Sequence, residues 1–178
     1  MVEKIGASDV TVNLLVGSDV SNLETVLMQN VVDPETGEKF TAEIDKIMGY
    51  MRGQKDEYGR RRKYFVAKDA QGKVIGCMAY SVPDPDMLVH FATNTEESAE
   101  LLNAFVDDDW KGKGVGRKLF NAVCEGVQMG GRKMLLVNSG PRYEKSWPFY
   151  DNVCDQNTGF IKDKYGIDRD ANTWVKFL

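Results

Sequence analysis

The segment Trp110–Leu119, which reads WKGKGVGRKL, constrains this chain more than any other part of the sequence. Before it, Ala99–Val106 (AELLNAFV) predicts a buried strand, and after it Val115 begins an amphipathic pattern that predicts a helix. Glycines let a backbone come close to a ligand, and the first N–H groups of a helix have no partner within the helix. Because the helix dipole is positive at that end, the segment predicts a phosphate-binding turn, with an ordinary turn carrying solvated lysines as the alternative.

Two familiar phosphate motifs do not fit this segment. The nucleotide-binding P-loop needs a glycine, four residues, and then Gly-Lys followed by Ser or Thr, and no glycine here has that spacing. The dinucleotide fingerprint G-x-G-x-x-G would start at Gly112 and require a glycine at position 117, which is Arg117. The sequence therefore argues against both of these classes of nucleotide-binding protein.

Strand and helix patterns alternate along the whole chain. The strand patterns are Thr11–Val16, a hairpin of Tyr64–Ala67 and Val74–Tyr80, the buried strand before the glycines, a central apolar run Met134–Val137, and two closing strands at Phe160–Ile161 and Thr173–Leu178. The helix patterns cover Leu23–Leu27, Phe40–Met51, a long helix from Val115 that ends at Gly130-Gly131, and Ser146–Asn152. Leu88–Thr93 is ambiguous. This order predicts a mixed α/β layered domain, and 178 residues fit one domain over 1–178.

Composition excludes several other classes of protein. The net charge of -4 argues against a nucleic-acid partner, so we interpret the basic run Arg60–Lys63 as a solvated strand flank. Three cysteines without a CxxC pair argue against a disulfide framework and against a zinc site, and we expect no metal. Met1–Val10 has no apolar core of a signal peptide, and no apolar run is long enough to span a membrane, which together predict a cytoplasmic protein.

The glycine segment resembles the acyl-CoA signature [Q/R]-x-x-G-x-[G/A] of the Gcn5-related N-acetyltransferase (GNAT) family, at Lys111-x-x-Gly114-x-Gly116. Pro148-Phe149-Tyr150 resembles a second motif of that family. The resemblance extends over residues 64–160 and is sharpest at 101–123. Three features depart from the family pattern: Lys111 stands where Arg or Gln is usual, Asp107–Asp109 places an acidic run beside the loop, and the spacings on both sides of Tyr150 are long. We predict that this acidic run is solvated and does not bind a metal, because adjacent carboxylates at a strand end point in alternating directions.

The resemblance implies a fold and a cofactor. The fold is a central mixed, mostly antiparallel twisted sheet of about six to seven strands flanked by helices, and acetyl-CoA is the acyl donor. Backbone amides of the loop would hold the pyrophosphate, and the end of the buried strand would pair with the pantetheine arm. The implied cofactor contacts are Phe105, Val106, Lys111, Gly112, Lys113, Gly114, Val115, Gly116, Arg117 and Asn138.

The family also implies two catalytic residues. Tyr150 would protonate the departing thiolate, and Glu100 falls at the position of a catalytic base. A base or desolvation is needed, because a lysine-like amine has a pKa of about 10.4 in water and attacks a thioester only when neutral. Alternatives remain open: Tyr150 as a core tyrosine with Tyr143 as a rival donor, Glu100 as a solvated carboxylate, and Asn138 as a strand-end cap.

We therefore predict an N-acetyltransferase that transfers an acetyl group from acetyl-CoA to a primary amine of a small molecule or peptide by direct attack. The alternative function is a catalytically weak acyl-CoA-binding sensor or regulatory module of the same fold. The expected partners are acetyl-CoA and an amine acceptor, with no nucleic acid and no membrane, and a homodimer is left open. By resemblance, residues 18–58 and 140–172 would form the acceptor pocket.

Overall fold

The computed structural model describes residues 9–178. Residues 1–8, which make up most of the segment predicted to lack a signal peptide, lie outside the described residues. The described strands are β1 (Thr11–Leu14), β2 (Lys63–Lys68), β3 (Val74–Ser81), β4 (Ser98–Val106), β5 (Met134–Ser139), β6 (Gln156–Ile161) and β7 (Ala171–Phe177). The described helices are α1 (Val20–Asn30), α2 (Thr41–Met51), α3 (Pro85–His90), α4 (Val115–Met129) and α5 (Trp147–Val153).

The strands form one seven-stranded sheet in the order β1-β2-β3-β4-β5-β7-β6. β4 and β5 run parallel, and their pairing joins Ser98–Glu100 to Met134–Leu136. β1 pairs antiparallel with β2, and β7 pairs antiparallel with both β5 and β6. The predicted fold class, a mixed and mostly antiparallel sheet flanked by helices, is confirmed. β5 was predicted to be a central strand, and the side chains of its residues Leu135–Val137 are fully buried.

The ambiguous segment Leu88–Thr93 overlaps the end of a short helix, α3. Its start is fixed by Asp84, whose carboxylate accepts a hydrogen bond from the Met87 backbone N–H at 2.9 Å. Pro85 occupies the first helical position, where its missing N–H costs nothing. The sequence Asp84-Pro85 therefore marks the start of a helix, although six residues are too few to show a helical periodicity.

The described residues group into two compact units. The first comprises the described residues up to Ala79 together with Asn103–Val123, and the second comprises Tyr80–Leu102 and Cys124–Leu178. Leu23, Leu27 and Ile44 are almost fully buried in the first unit, while Met87, Leu136 and Val175 form a buried cluster in the second. The prediction of a single domain over 1–178 stays a prediction.

The basic run Arg60–Lys63 is not a solvated flank throughout, and that interpretation is wrong for two of its residues. Arg60 is 9% exposed and its Nε lies 2.8 Å from Oδ2 of Asp56, while Arg62 Nη2 lies 3.7 Å from the same oxygen. Burial alone would raise the pKa of Asp56, but the hydrogen bonds and the charge of Arg60 outweigh it, so this pKa is lowered. These arginines are therefore held by a buried carboxylate of their own unit.

Candidate active site

The glycine segment forms a turn that presents backbone to solvent. Gly112 has φ +74° and Gly114 has φ +86°, a region that other residues enter only with strain. The backbone N–H of Lys118 donates to the Gly114 carbonyl at 3.1 Å, so helix bonding starts there. The N–H groups of the first turn of α4 therefore have no carbonyl partner within the helix. This is the geometry that a phosphate-binding turn requires.

The positively charged side chains of this turn differ in their interactions with the rest of the protein. Lys111 lies 2.6 Å from Asp108, and both side chains are at least half exposed, so water screens this ion pair. Lys113 lies over the Trp110 ring, with 5.4 Å between its Nζ and the ring centroid. Lys118 instead donates to the Val10 backbone carbonyl at 2.9 Å. Positive charge near the turn thus comes from Lys111, Lys113 and the exposed Arg117.

The acidic run beside the turn is only partly solvated, as its first member is buried. Asp107 is 2% exposed, and its carboxylate accepts from the Asp109 backbone N–H at 3.1 Å. Lys73 lies 3.7 Å from the other oxygen of this carboxylate. The prediction of a solvated run is wrong for Asp107 and right for Asp108 and Asp109, which are exposed. Asp107 caps a turn, which gives it a structural role.

The end of β4 is fixed by side chains from α1, although no sequence motif pointed to them. Asn30 Nδ2 donates to the Val106 carbonyl at 3.0 Å, and Gln29 Oε1 accepts from the Asp108 backbone N–H at 3.0 Å. Phe105, predicted as a cofactor contact, is 7% exposed, while Val106 is half-buried. The helix thus anchors the backbone between the strand and the glycine turn.

A second anchor of β4 is Asn103, which has the left-handed φ of +49° in the middle of the strand. Its side-chain oxygen accepts hydrogen bonds from the Arg62 guanidinium and from the Tyr64 hydroxyl, the latter at 2.7 Å. Asparagine tolerates this conformation better than most residues do, and such a conformation in a strand marks a local irregularity of the backbone. The backbone that follows Asn103 is therefore set by two side chains from the segment around β2.

Glu100, the predicted base, is 2% exposed, so the alternative of a solvated carboxylate is wrong. Its Oε2 accepts from the Asp84 backbone N–H at 2.9 Å, and its Oε1 accepts from Asn138 Nδ2 at 2.9 Å. The oxygen of the Asn138 amide in turn accepts from the Tyr165 hydroxyl. The structure brings Glu100 and Asn138 together, two residues that the sequence predicted for different roles. Their functions as base and cofactor contact stay predictions.

Two residues of the β6–β7 loop complete this cluster. Lys164 Nζ lies 2.7 Å from Asp84 Oδ2, and the two side chains are only 7% and 9% exposed. Lys164 also lies 3.5 Å from Asp86. No sequence motif singles out Lys164 and Tyr165, because a loop between two late strands carries no spacing that would relate it to β4.

Tyr150, the predicted proton donor, lies on α5 and is 7% exposed. Its ring packs against Trp174, with centroids 5.1 Å apart, and against Phe149, with centroids 5.3 Å apart. Burial raises the pKa of the Tyr150 phenol, so it stays protonated at neutral pH and can donate a proton. The rival Tyr143 is half-buried, and its hydroxyl accepts from Arg142 at 2.9 Å. The donor role of Tyr150 stays a prediction.

Among residues 9–178, no group of three or more His, Cys, Asp or Glu side chains is arranged to hold a metal ion. None of the helices in that part of the chain has the length and apolarity needed to cross a membrane.

Comparison with known proteins places the fold among acetyltransferases. Three solved structures resemble the chain: a GNAT family acetyltransferase from Elizabethkingia anophelis with acetyl-CoA bound (TM-score 0.65, 16% identity, covering 96% of this chain and 99% of that one), an aminoglycoside 6'-N-acetyltransferase complexed with coenzyme A (TM-score 0.67, 13% identity, 94% and 96%), and a spermidine N-acetyltransferase mutant from Vibrio cholerae (TM-score 0.64, 18% identity, 96% and 94%). A search of the curated proteins found no match.

At these identities the structures show a shared fold. The family itself is shown by the sequence, because the model of the acetyltransferase (GNAT) family matches residues 30–155, well over half of the chain. That range contains β2 to β5, the glycine turn, α4 and α5. The resemblance seen at Lys111–Gly116 is thereby confirmed, and the chain belongs to the GNAT family of acetyltransferases.

Proposed function

We propose that this chain transfers an acetyl group from acetyl-CoA to a primary amine of a small molecule or peptide. The observation that carries the proposal is the turn at Gly112–Gly116, in which two left-handed glycines precede the first turn of α4. Unpartnered N–H groups and the positive end of the helix dipole suit a pyrophosphate. The acetyl-CoA and coenzyme A bound by two structures of the same fold support this choice of donor.

The proposed reaction is a direct transfer without an acyl-enzyme. The amine lone pair attacks the acetyl carbonyl carbon, the bond from that carbon to sulfur breaks, and the electron pair leaves on the thiolate. Tyr150 donates a proton to this thiolate, and the nitrogen loses a proton through water to Glu100. A positioned acid or base of this kind typically contributes about 10²- to 10⁴-fold in rate. No nucleophilic cysteine is required, which agrees with the burial that raises the pKa of the Cys77 thiol to about 12.

A second candidate function is favoured by one observation at Glu100. Both oxygens of this carboxylate accept hydrogen bonds from the protein, from Asp84 and from Asn138. A carboxylate engaged in this way has less freedom to accept a proton, and a chain that binds acyl-CoA without fast turnover would serve as a sensor or regulatory module. The two functions predict the same acetyl-CoA affinity and differ in turnover.

The experiment that separates them measures release of the CoA thiol by the purified full chain with acetyl-CoA and a panel of primary amines. Amine-dependent release well above the rate without amine supports the transferase. Binding of acetyl-CoA without release on any amine supports the binding module. If the chain neither binds acetyl-CoA nor releases the CoA thiol, both functions are overturned, since the glycine turn would then be an ordinary turn. The cytoplasmic location stays a prediction, and a homodimer stays open.

A further inference from the structure

In the second unit, Glu100 belongs to a ring of four hydrogen bonds that is closed by covalent links within Asp84 and between Lys164 and Tyr165. The Asp84 backbone N–H donates to Glu100 at 2.9 Å, and Lys164 donates to the Asp84 carboxylate at 2.7 Å. Tyr165, the next residue in the chain, donates its hydroxyl hydrogen to the Asn138 amide oxygen. The Asn138 amide nitrogen donates to Glu100 at 2.9 Å, which completes the ring. Three of its members lie on β4, on β5 and at the start of α3, and two lie in the β6–β7 loop. Glu100, at 2% exposure, is the most deeply buried charge of the ring.

The ring fixes the direction of each hydrogen bond. An ionised carboxylate can only accept, so the amide nitrogen of Asn138 must face Glu100 and its oxygen must face Tyr165. That amide oxygen can also only accept, which means that the Tyr165 hydroxyl must spend its single hydrogen on Asn138. Only the oxygen lone pairs of the Tyr165 hydroxyl are then available to a ligand. Tyr165 therefore presents an acceptor of hydrogen bonds, although tyrosine can in general do either.

The charges around this hydroxyl favour a positively charged or N–H-bearing ligand. Glu100 and Asp84 contribute two carboxylates, and Lys164 compensates one of them. Loss of hydration first, and then the negative charges of Glu100 and Asp84, raise the pKa of the Tyr165 phenol, so it remains neutral and keeps its proton. The residue as a whole is 48% exposed, so part of the Tyr165 side chain is open to solution.

The position of the Tyr165 ring is set by a glycine. A Cβ atom added at Gly140 would lie 2.8 Å from Cδ2 of Tyr165, closer than such atoms approach in proteins. Gly140 has an ordinary φ of -77°, so its backbone does not require glycine. The absent side chain makes room for the ring instead. Gly140→Ala would therefore displace Tyr165 without removing its hydroxyl and without straining the backbone.

From the ring and its polarity, we propose that the Tyr165 hydroxyl accepts a hydrogen bond from the N–H of the acceptor amine, and that Glu100 and Asn138 are positioning residues that fix the direction of the Tyr165 proton. This inference rests on the proposed acetylation of amines and adds to it the residue that recognises the amine. The inference also narrows the class of acetyl-accepting substrate. A substrate that carries an N–H group or a positive charge is favoured over one that is anionic or only accepts hydrogen bonds.

The test measures KM for the amine and the acetyl-CoA Kd in parallel, with spermidine, n-butylamine and a lysine-containing tripeptide as probe amines. Tyr165→Phe keeps the ring and removes the oxygen, so we expect KM for the amine to rise about tenfold or more while the Kd of acetyl-CoA changes less than twofold. Gly140→Ala, which displaces the intact phenol, is expected to raise KM in the same direction. Calorimetric binding of each amine to the CoA-loaded protein provides the same comparison without turnover.

Glu100→Gln tests the polarity of the ring directly. The amide nitrogen of glutamine can donate to the Asn138 oxygen, so the Asn138 side-chain amide can rotate by half a turn and donate to the Tyr165 hydroxyl. The hydrogen of the phenol then faces the amine. Because Glu100 is also the proposed base, kcat falls in this variant, so the Kd of the amine for the CoA-loaded protein is compared together with KM. We expect both values to rise in Glu100→Gln alone, and the double variant Glu100→Gln/Tyr165→Phe to have the values of Tyr165→Phe.

The outcomes separate this inference from the proposed function. If the wild type neither acetylates nor binds any of the three amines, the inference falls together with the proposed acetylation of amines. If the wild type acetylates an amine and Tyr165→Phe leaves its KM unchanged, only the role of Tyr165 is overturned. If Glu100→Gln raises KM equally in the presence and absence of the Tyr165 hydroxyl, the positioning role of Glu100 is overturned.

Discussion

The side-chain amide of Asn30, the last residue of α1, donates to the backbone carbonyl of Val106, the last residue of β4, at 3.0 Å. It ties the helix to the strand end for which pairing with the pantetheine arm is proposed. Asn30→Ala removes this bond together with the one that the same amide donates to the Val26 carbonyl at 2.8 Å. We therefore expect a loss of about 1–2 kcal/mol in the free energy of unfolding and weaker binding of acetyl-CoA. Urea unfolding and calorimetry measure the two effects.

Asn22 on the same helix is the matched control for Asn30. Its amide donates to the carbonyl of Ser18, four residues earlier, at 3.4 Å, and the residue is exposed. Asn22→Ala is therefore expected to change the free energy of unfolding by less than about 0.5 kcal/mol and to leave acetyl-CoA affinity unchanged. Equal effects of the two substitutions would show that the bond to β4 contributes nothing.

The ion pair that holds the β6–β7 loop has a matched counterpart that differs in burial. Lys164–Asp84 and Lys176–Asp155 both have an N–O distance of 2.7 Å, but the first pair is 7% and 9% exposed and the second is 31% and 38% exposed. Lys164→Met leaves a buried carboxylate uncompensated, so we expect a loss of about 3 kcal/mol or more. Lys176→Met is expected to cost less than about 1 kcal/mol. Thermal and urea unfolding of both variants provide the comparison, and similar losses would refute the structural role of Lys164.

The buried pair of Asp56 and Arg60 predicts a dependence of stability on pH. The pKa of Asp56 is lower in the folded protein than in the unfolded chain, despite its burial, because of its hydrogen bonds with Arg60. The contribution of Asp56 to the free energy of unfolding is therefore complete above the pKa of about 4 that it has in the unfolded chain, and it disappears as the pH falls through its pKa in the folded protein. Asp56→Asn should thus be markedly less stable than the wild type at pH 7, with a difference that shrinks below about pH 4. Urea unfolding between pH 7 and pH 3 measures it, and a constant difference would contradict the assignment.

Tyr150→Phe keeps the ring against Trp174 and removes only the hydroxyl. We expect kcat to fall about 100-fold, the acetyl-CoA Kd to stay within twofold, and the fold to remain intact. Because burial raises the pKa of Tyr150, its deprotonation should not lower the wild-type rate at any pH up to about 10. Steady-state kinetics across that pH range test both statements.

Tyr80 is the control for the loss of a buried phenol. It is 8% exposed, and its hydroxyl donates to the Gly126 carbonyl at 3.0 Å. Tyr80→Phe should lower stability by about 1 kcal/mol and leave kcat unchanged. A large fall in kcat for Tyr143→Phe, with none for Tyr150→Phe, would move the donor role to Tyr143.

The elements that the sequence predicted well are those whose residues carry the signal locally. The apolar run of β5, the hairpin of β2 and β3, and the amphipathic α4 with its terminal glycines were all confirmed, since each depends on periodicity or on a glycine at its end. The glycine turn belongs to the same class, because spacing alone distinguishes it from other phosphate motifs.

The rest of the candidate site depends on contacts between residues that are far apart in the chain. Asn30 is separated from Val106 by 76 residues, and Lys164 from Asp84 by 80. No local pattern marks such pairs. The burial of Arg60 escapes prediction for a different reason, because its partner Asp56 is only four residues away. The charge of Arg60 is visible in the sequence, but nothing there distinguishes Asp56 from any other aspartate.

Binding of acetyl-CoA to the glycine turn is the central claim, and calorimetric titration of the purified full chain tests it most directly. Gly112→Glu places bulk and negative charge in the turn, and Gly37→Glu is its control, because both glycines have φ +74° and neither has an atom within 4 Å of an added Cβ. We expect the wild type and Gly37→Glu to bind acetyl-CoA with similar Kd values, in the micromolar range or tighter, and Gly112→Glu to bind at least 100-fold more weakly. No binding by the wild type, or equal binding by all three proteins, would contradict the account.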